Sequence, residues 1–398
     1  MNAFSKKKIR LIITVLAPVP VGYKGKTGGL VRLVEILKRF SDLNKIKIVL
    51  VSSDESYADY FRDNGIEFEF KLVKSNLKFK SLIGLCLKSL FIIAKSFFVL
   101  KLDFLESKDE KVIVYASSDL FWEVIPAYFF KTRKRNVKWV QVIHHVYPDW
   151  KKRPGEKIVN FFGYYSQRFS FCLIKKKADK IVVVNSLMRI KLIELRFSAD
   201  RIFISSNGTD LKYFENIERA GMSYEGVFLG RLSHSKGLRD LVEIWKNICK
   251  EIPEAKLAVI GGKNDETKNM LLKKIRKHNL EKNIDLLGFL EDEDAHPILK
   301  SGKVFLSPSH EEGWGISIAE AMACGLPVVS WNLPVYREIF GTRTVQIKEN
   351  DPNLFSNKVL ELLKNDAMRK GVGEDGKKFI RKYSWDRAAE KELEIICL

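Results

Sequence analysis

Two carboxylates frame a glycine-rich turn in the stretch Ser307–Val329, SPSHEEGWGISIAEAMACGLPVV. Glu312 precedes Gly313-Trp314-Gly315, and Glu320 follows five residues later. The apolar run 304–306 upstream reads as a strand. Residues 316–323 read as a helix, stopped by Gly325 and Pro327. The turn therefore joins the C-terminal end of a strand to the start of a helix, where open α/β sheets bind ligands. The first amides of such a helix, from Ile316 on, lack intrahelical partners and attract phosphate oxygens. Gly313 and Gly315 let backbone approach closely. Glu320, one turn into the helix, can accept from a ribose diol, and Glu312 lies near whatever the phosphate carries. Together these groups suit a sugar nucleotide.

A second constellation, GRLSHSKG at 230–237, follows another apolar run and puts Arg231 and Lys236 on a strand-to-helix loop. A diphosphate would sit there, and fixed cations can stabilise its departing charge without a metal. In WVQVIHHVYP, residues 139–148, His144 and His145 fall at a strand end. Gly28 and Gly29 stand between the first strand and a helix, a weak dinucleotide-type signal. In LLGFL, residues 286–290, backbone near Phe289 could read a base. The six histidines show no His-x-x-x-His spacing, so no metal site is expected.

These residues need strand ends to stand on. Probable strands occupy 9–17, 46–52, 67–73, 111–117, 138–144, 180–185 and 201–205 in the first half. The second half offers 226–229, 257–260, 284–287, 304–307, 328–330 and 344–347. Helical patterns alternate with them, which implies parallel sheets covered on both faces. The expected class is α/β, with two doubly wound Rossmann-like domains. The N-terminal domain spans 1–206 and the C-terminal domain 207–383. The break falls in the polar segment 207–223.

The stretch around Glu312 and Glu320 resembles the signature of the retaining, nucleotide-sugar-dependent glycosyltransferases of family 4, the group 1 transferases. That signature runs Glu-Gly-(aromatic)-Gly, then Glu-Ala-Met-Ala-(small)-Gly-x-Pro-Val. Trp314 replaces the usual Phe. The spacing Gly230-Arg231, four residues, Lys236-Gly237 also resembles the family, as does the aromatic-Ser-Trp element at 383–385. The resemblance implies a GT-B fold with the donor cleft between the domains, and a last helix, 384–398, crossing back onto the first. It implies that Arg231 and Lys236 contact the diphosphate and that His144 meets the donor sugar; His145 stands where Asp is frequent. It implies that the Gly28-Gly29 loop reaches donor phosphate or acceptor, and that Asn207-Gly208-Thr209-Asp210 forms a turn near the cleft. Retention of configuration, no required metal and no cofactor follow by the same resemblance.

Composition narrows the partners. The net charge of +20 lies wholly in residues 1–205, which hold 39 Lys and Arg against 19 Asp and Glu; the remainder balances at 30 and 30. Such asymmetry suits an anionic partner. Residues 77–105 form the longest apolar segment, interrupted by Lys80, Lys88, Lys95 and Lys101. The charges argue against a membrane span. They leave an interfacial helix with snorkelling lysines, or a helix covering the sheet with lysines outward. Five scattered cysteines without a Cys-x-x-Cys pair suit a reducing compartment. The start, basic then apolar, reads as a core strand rather than a secretion signal. The expectation is a cytoplasmic enzyme, with or without peripheral attachment at the inner face of the plasma membrane. Its partners are a nucleotide-diphosphate sugar and a hydroxyl acceptor, lipid-linked or of the cell envelope. A non-enzymatic sugar-nucleotide binder would keep Glu320 yet tend to lose Arg231, Lys236 or His144. A nucleic-acid binder would explain the charge but not these motifs.

Overall fold

The computed structural model describes residues 8–18, 26–41, 43, 45–75, 77, 82–100, 110–134, 136–153, 155–262 and 265–398. Lys80, Lys101 and most of the loop before Gly28 lie outside them. Two compact units emerge: Gly28–Ser206 and Asp386–Leu398 belong to the first, Asn207–Trp385 to the second.

The first unit alternates β1 (Lys8–Val15), α1 (Gly28–Ser41), β2 (Ile46–Ser52), α2 (Glu55–Asp63), β3 (Glu69–Leu72), α3 (Leu82–Val99) and β4 (Glu110–Ala116). It continues with α4 (Phe121–Arg133), β5 (Lys138–Ile143), α5 (Lys157–Lys177), β6 (Lys180–Val183), α6 (Ser186–Glu194) and β7 (Ile202–Ile204). The strand order is β3-β2-β1-β4-β5-β6-β7, every pair parallel. Successive residues Leu11, Ile12 and Ile13 of β1 are all fully buried, so both faces of the sheet are covered. The order reverses between β1 and β4, which makes that pair the switch point.

The second unit opens with α7 (Leu211–Asn216), β8 (Tyr224–Leu229), α8 (Leu238–Glu251), β9 (Leu257–Ile260), α9 (Asp265–Lys277), β10 (Ile284–Gly288), α10 (Asp292–Lys300) and β11 (Gly302–Ser307). There follow α11 (Ile316–Ala323), β12 (Val328–Trp331), α12 (Pro334–Phe340), β13 (Val345–Ile347), α13 (Pro352–Lys364) and α14 (Asp366–Ile380). Its sheet, β10-β9-β8-β11-β12-β13, is also parallel throughout. Here the switch point is β8 against β11, with Gly226 beside Val304 and Val227 beside Phe305. The protein therefore consists of two Rossmann-like α/β units, with seven and six strands.

Within the second unit, the segments at 207–210 and 383–385 lie side by side. Thr209 bridges Ser384, and Thr209 N–H donates to Tyr383 O at 3.0 Å. Gly208 is required there, since a Cβ would lie 2.3 Å from the Ser384 carbonyl carbon. Asp210 then caps α7 through the Tyr213 amide at 3.1 Å.

A last helix, α15 (Trp385–Cys397), is fastened to the first unit by charge. Arg32 of α1, 1% exposed, forms a close ion pair with the fully buried Glu392. The same guanidinium donates to Ser205 O and Oγ, at 3.2 and 3.0 Å. Ser205 Oγ and Tyr115 O–H donate to the Glu392 carboxylate in turn. Burial opposes the Arg32 charge, but Glu392 more than restores it and the pKa is raised. Lys111 adds a C-terminal contact, donating to Ile396 O and Cys397 O. Among the described residues no helix is long and apolar enough to cross a membrane.

Removing Glu392 would leave a guanidinium buried without its counter-charge, which typically costs about 3–5 kcal/mol. Glu392→Ala should lower unfolding free energy in chemical denaturation by that order. The double variant Arg32→Met/Glu392→Leu should recover a substantial part. A single-variant loss below about 1 kcal/mol would contradict the assigned weight of this pair.

Candidate functional site

In the second unit, the loops after β8 and β11 lie side by side at the switch point. Their contact is made by backbone. Gly237 has φ +67°, and a Cβ on it would fall 1.8 Å from the Pro308 carbonyl oxygen. His310 N–H donates to Ser235 O at 2.9 Å. Across this seam Lys236 forms a close ion pair with Glu312, their side chains 17% and 12% exposed. Arg231, on the same loop as Lys236, is exposed. The cationic loop and the first of the two glutamates are thus brought together.

Helix α11 begins at Ile316, with Gly315 as its N-cap at φ +107°. A Cβ at Gly315 would meet Phe340 and Tyr336 at 3.1 Å each. Gly315 offers no side-chain cap, so the first α11 amides stay available for an anion. Glu320 lies about one turn along, half-buried. Trp314 behaves differently from its neighbours. Its indole is 2% exposed and packs edge-on against Phe340 and Tyr383, with centroids at 5.6 and 5.4 Å. What Trp314 can offer a ligand is its backbone. Phe289 follows Gly288 (φ +78°) at the end of β10, half-exposed.

Sequence reasoning missed the group that braces this seam. His310 Nε2 lies 2.8 Å from Asp240 of α8, and Nδ1 lies 2.8 Å from Glu349 after β13. Asp240 also accepts from Trp331 Nε1 at 3.3 Å. Hydrogen bonding to Asp240 holds the His310 pKa above its usual value, against the opposing effect of burial. His310 adjoins the motif in sequence, but its two partners are remote, so no local signal revealed the strut.

Gly28, Gly29 and His144 belong to the first unit. Gly29 sits at the start of α1 directly against the His144 ring, and a Cβ there would be 2.9 Å from Nε2. His144 Nε2 is 2.8 Å from Ser117 O, a carbonyl that only accepts. The proton is therefore on Nε2, and Nδ1 carries the lone pair. Burial, then the Arg32 charge, pushes the His144 pKa down to about 4, so the ring is neutral near pH 7. His145 is held through its backbone: Gln167 Nε2 donates to His145 O at 2.8 Å and to Asp119 at 2.6 Å. Burial raises the pKa of Asp119 to about 6, and that of Glu123, which accepts from Ser117 Oγ and the Ser118 amide, to about 8. Neither carboxyl was singled out from sequence; nothing local marks it as buried.

For His310 the pH dependence has a definite sign. A pKa raised on folding contributes stability below the ordinary histidine value of about 6.5 and loses it as pH rises through the folded value. His310→Gln should therefore melt well below the wild type at about pH 6, with the gap closing toward about pH 9. A gap independent of pH would mean that His310 acts only by filling space.

Residues 211–379 match the model of the family described as glycosyl transferases group 1. An uncharacterized glycosyltransferase of Methanocaldococcus jannaschii is 28% identical over 222 residues, 55% of this chain and 60% of that protein. The O-antigen chain mannosyltransferase B of Escherichia coli is 24% identical over 227 residues, 54% of this chain and 60% of its own length. The matched region thus spans about 60% of these curated relatives. Among solved structures, Anabaena HepE in complex with UDP-glucose superposes with TM-score 0.75 at 15% identity, covering 98% of this chain and 99% of that one. At that identity the likeness establishes the fold, which is GT-B.

Proposed function

We propose that the protein is a retaining glycosyltransferase, moving a sugar from a nucleotide-diphosphate donor to a hydroxyl acceptor on a lipid-linked or cell-envelope glycan. The observation that carries this reading is the Lys236–Glu312 pair, joined across the β8/β11 switch point beside Arg231 and the open start of α11. The group 1 match over residues 211–379 supports it. So do the O-antigen mannosyltransferase as a relative and the UDP-glucose held by HepE.

In this reading Arg231 and Lys236 bind the diphosphate, and the amides from Gly313 to Ile316 add hydrogen bonds. Glu320 accepts from the ribose hydroxyls, and Glu312 orients the Lys236 ammonium and meets the sugar. Backbone beside Phe289 meets the base. The Gly28-Gly29 turn at the start of α1, where Gly29 lets the His144 ring pack close, meets phosphate or acceptor. The neutral His144 offers Nδ1 to a sugar hydroxyl. The bond between the anomeric carbon and the phosphate oxygen breaks while the acceptor oxygen bonds to the same face of that carbon. The acceptor proton passes to the departing phosphate. No side-chain nucleophile is needed, unlike a retaining glycosidase. Charge developing on the leaving diphosphate falls on Arg231 and Lys236, so the reaction needs no metal and no cofactor.

Arg231→Ala and Lys236→Ala should each lower turnover by at least about 100-fold, the scale of losing one transition-state charge partner. Folding should be unaffected, as checked by circular dichroism. Near-normal turnover with UDP-, GDP- and ADP-sugar donors in both variants would overturn the assignment.

Chelation tests the other half of the reading. Activity in excess EDTA should stay within about twofold of the untreated enzyme, because side-chain cations supply the leaving-group charge. A complete loss restored by added divalent metal would refute metal independence.

A further inference from the structure

Helix α5 is amphipathic the wrong way round for a helix in water. Over its first two-thirds it buries polar side chains: Asn160 and Gln167 are 5% and 4% exposed, and Ser170 is fully buried. The outward positions are apolar. Ile158, Val159, Phe161, Phe162, Tyr165 and Phe169 are between 39% and 67% exposed. Their spacing traces one stripe along the helix. The sheet's need for cover does not explain these side chains, since they face away from it.

A second stripe lies on α3, at Ile83, Leu87, Leu90, Phe91 and Phe98, the last 77% exposed. Of Lys80, Lys88, Lys95 and Lys101 only Lys88 and Lys95 are described, both half-buried, and the most exposed large side chains of α3 are these apolar ones. Helix α3 packs on α4, and α4 on α5, so the stripes belong to one layer. Helices linking parallel strands run antiparallel to them, which puts the N-terminal halves of α3 and α5 at the strand ends, the end that carries His144.

We propose that this α3–α5 face of the first unit docks on an anionic lipid bilayer, with the N-terminal half of α5 as the inserting element. The rim has the matching charge. Lys151, Lys152, Arg153 and Lys157 crowd the start of α5, against Asp149 and Glu156. Trp150 packs edge-on against Phe161 at 5.2 Å, with the Lys151 ammonium 5.6 Å from the Trp150 ring, the pairing of aromatic body and polar tip that suits a headgroup layer. Apolar side chains inside a basic rim bind anionic membranes without a span. A second copy of the chain is a poorer occupant, because self-association would set these cations against one another. The inference deepens the lipid-linked acceptor reading and rests on it for its purpose, while the binding itself needs no transfer chemistry.

The test is flotation of the full chain with phosphatidylcholine vesicles, with and without phosphatidylglycerol. The wild type should bind the anionic vesicles and release as salt rises. Lys151→Glu/Lys152→Glu/Lys157→Glu should lower partitioning at least about 100-fold, and Phe161→Ser/Phe162→Ser/Phe169→Ser at least about tenfold. Both variants should keep wild-type melting and nucleotide binding. Wild-type protein that ignores anionic vesicles at low salt overturns the proposal, as does a phenylalanine variant that binds like wild type. A wild-type dimer in sedimentation that the phenylalanine variant abolishes, without vesicle binding, assigns the face to a second copy instead. Vesicle binding in a protein that transfers no sugar leaves the surface standing and removes the proposed reaction.

Discussion

The geometry of the second unit's site depends on one close approach, the α-carbon of Gly237 against the Pro308 carbonyl. A Cβ there would overlap the oxygen, and φ +67° is itself costly for any other residue. This contact lets the loop after β8 lie on the loop after β11. The Ser235–His310 backbone bond and the Lys236–Glu312 pair then follow from proximity. A cation held by a carboxylate is placed before any ligand arrives, so less of the binding energy goes into ordering it.

The first unit solves a similar problem with charge. Arg32 sits one turn into the helix whose second residue, Gly29, lies against His144. Anchoring Arg32 on Glu392 and Ser205 therefore also fixes the start of α1 against the imidazole. The same guanidinium adds to the field that keeps His144 neutral. One residue thus serves both the anchoring of α15 and the charge state of His144.

How much of this was legible beforehand divides by range along the chain. The thirteen strands among the described residues fall where apolar runs between turn signals place them, within a few residues. Helix α11 has the bounds that Gly315 and Gly325 suggest. Local patterns suffice for these because each is decided by neighbours in sequence. Trp314 shows the limit: the motif located it, but only packing against Phe340 and Tyr383 reveals an indole turned inward. Arg32, His310 and Gln167 were invisible because their partners are distant in sequence and ordinary in type. Helix α5 passed unnoticed because its polar and apolar positions have normal spacing; which face points inward is decided by tertiary contact.

The buried pairing of α15 with α1 also has a temporal side. Glu392 is synthesised after the whole second unit, whereas Arg32 is synthesised before it. Domains commonly fold in order of synthesis. In this chain the first unit waits for its counter-ion until the whole second unit has been synthesised. Until then the Arg32 guanidinium lacks the carboxylate that balances its burial, and an uncompensated buried charge disfavours close packing. The first unit is thus completed by a helix made after the second, so its packing reports that the chain between them has been synthesised.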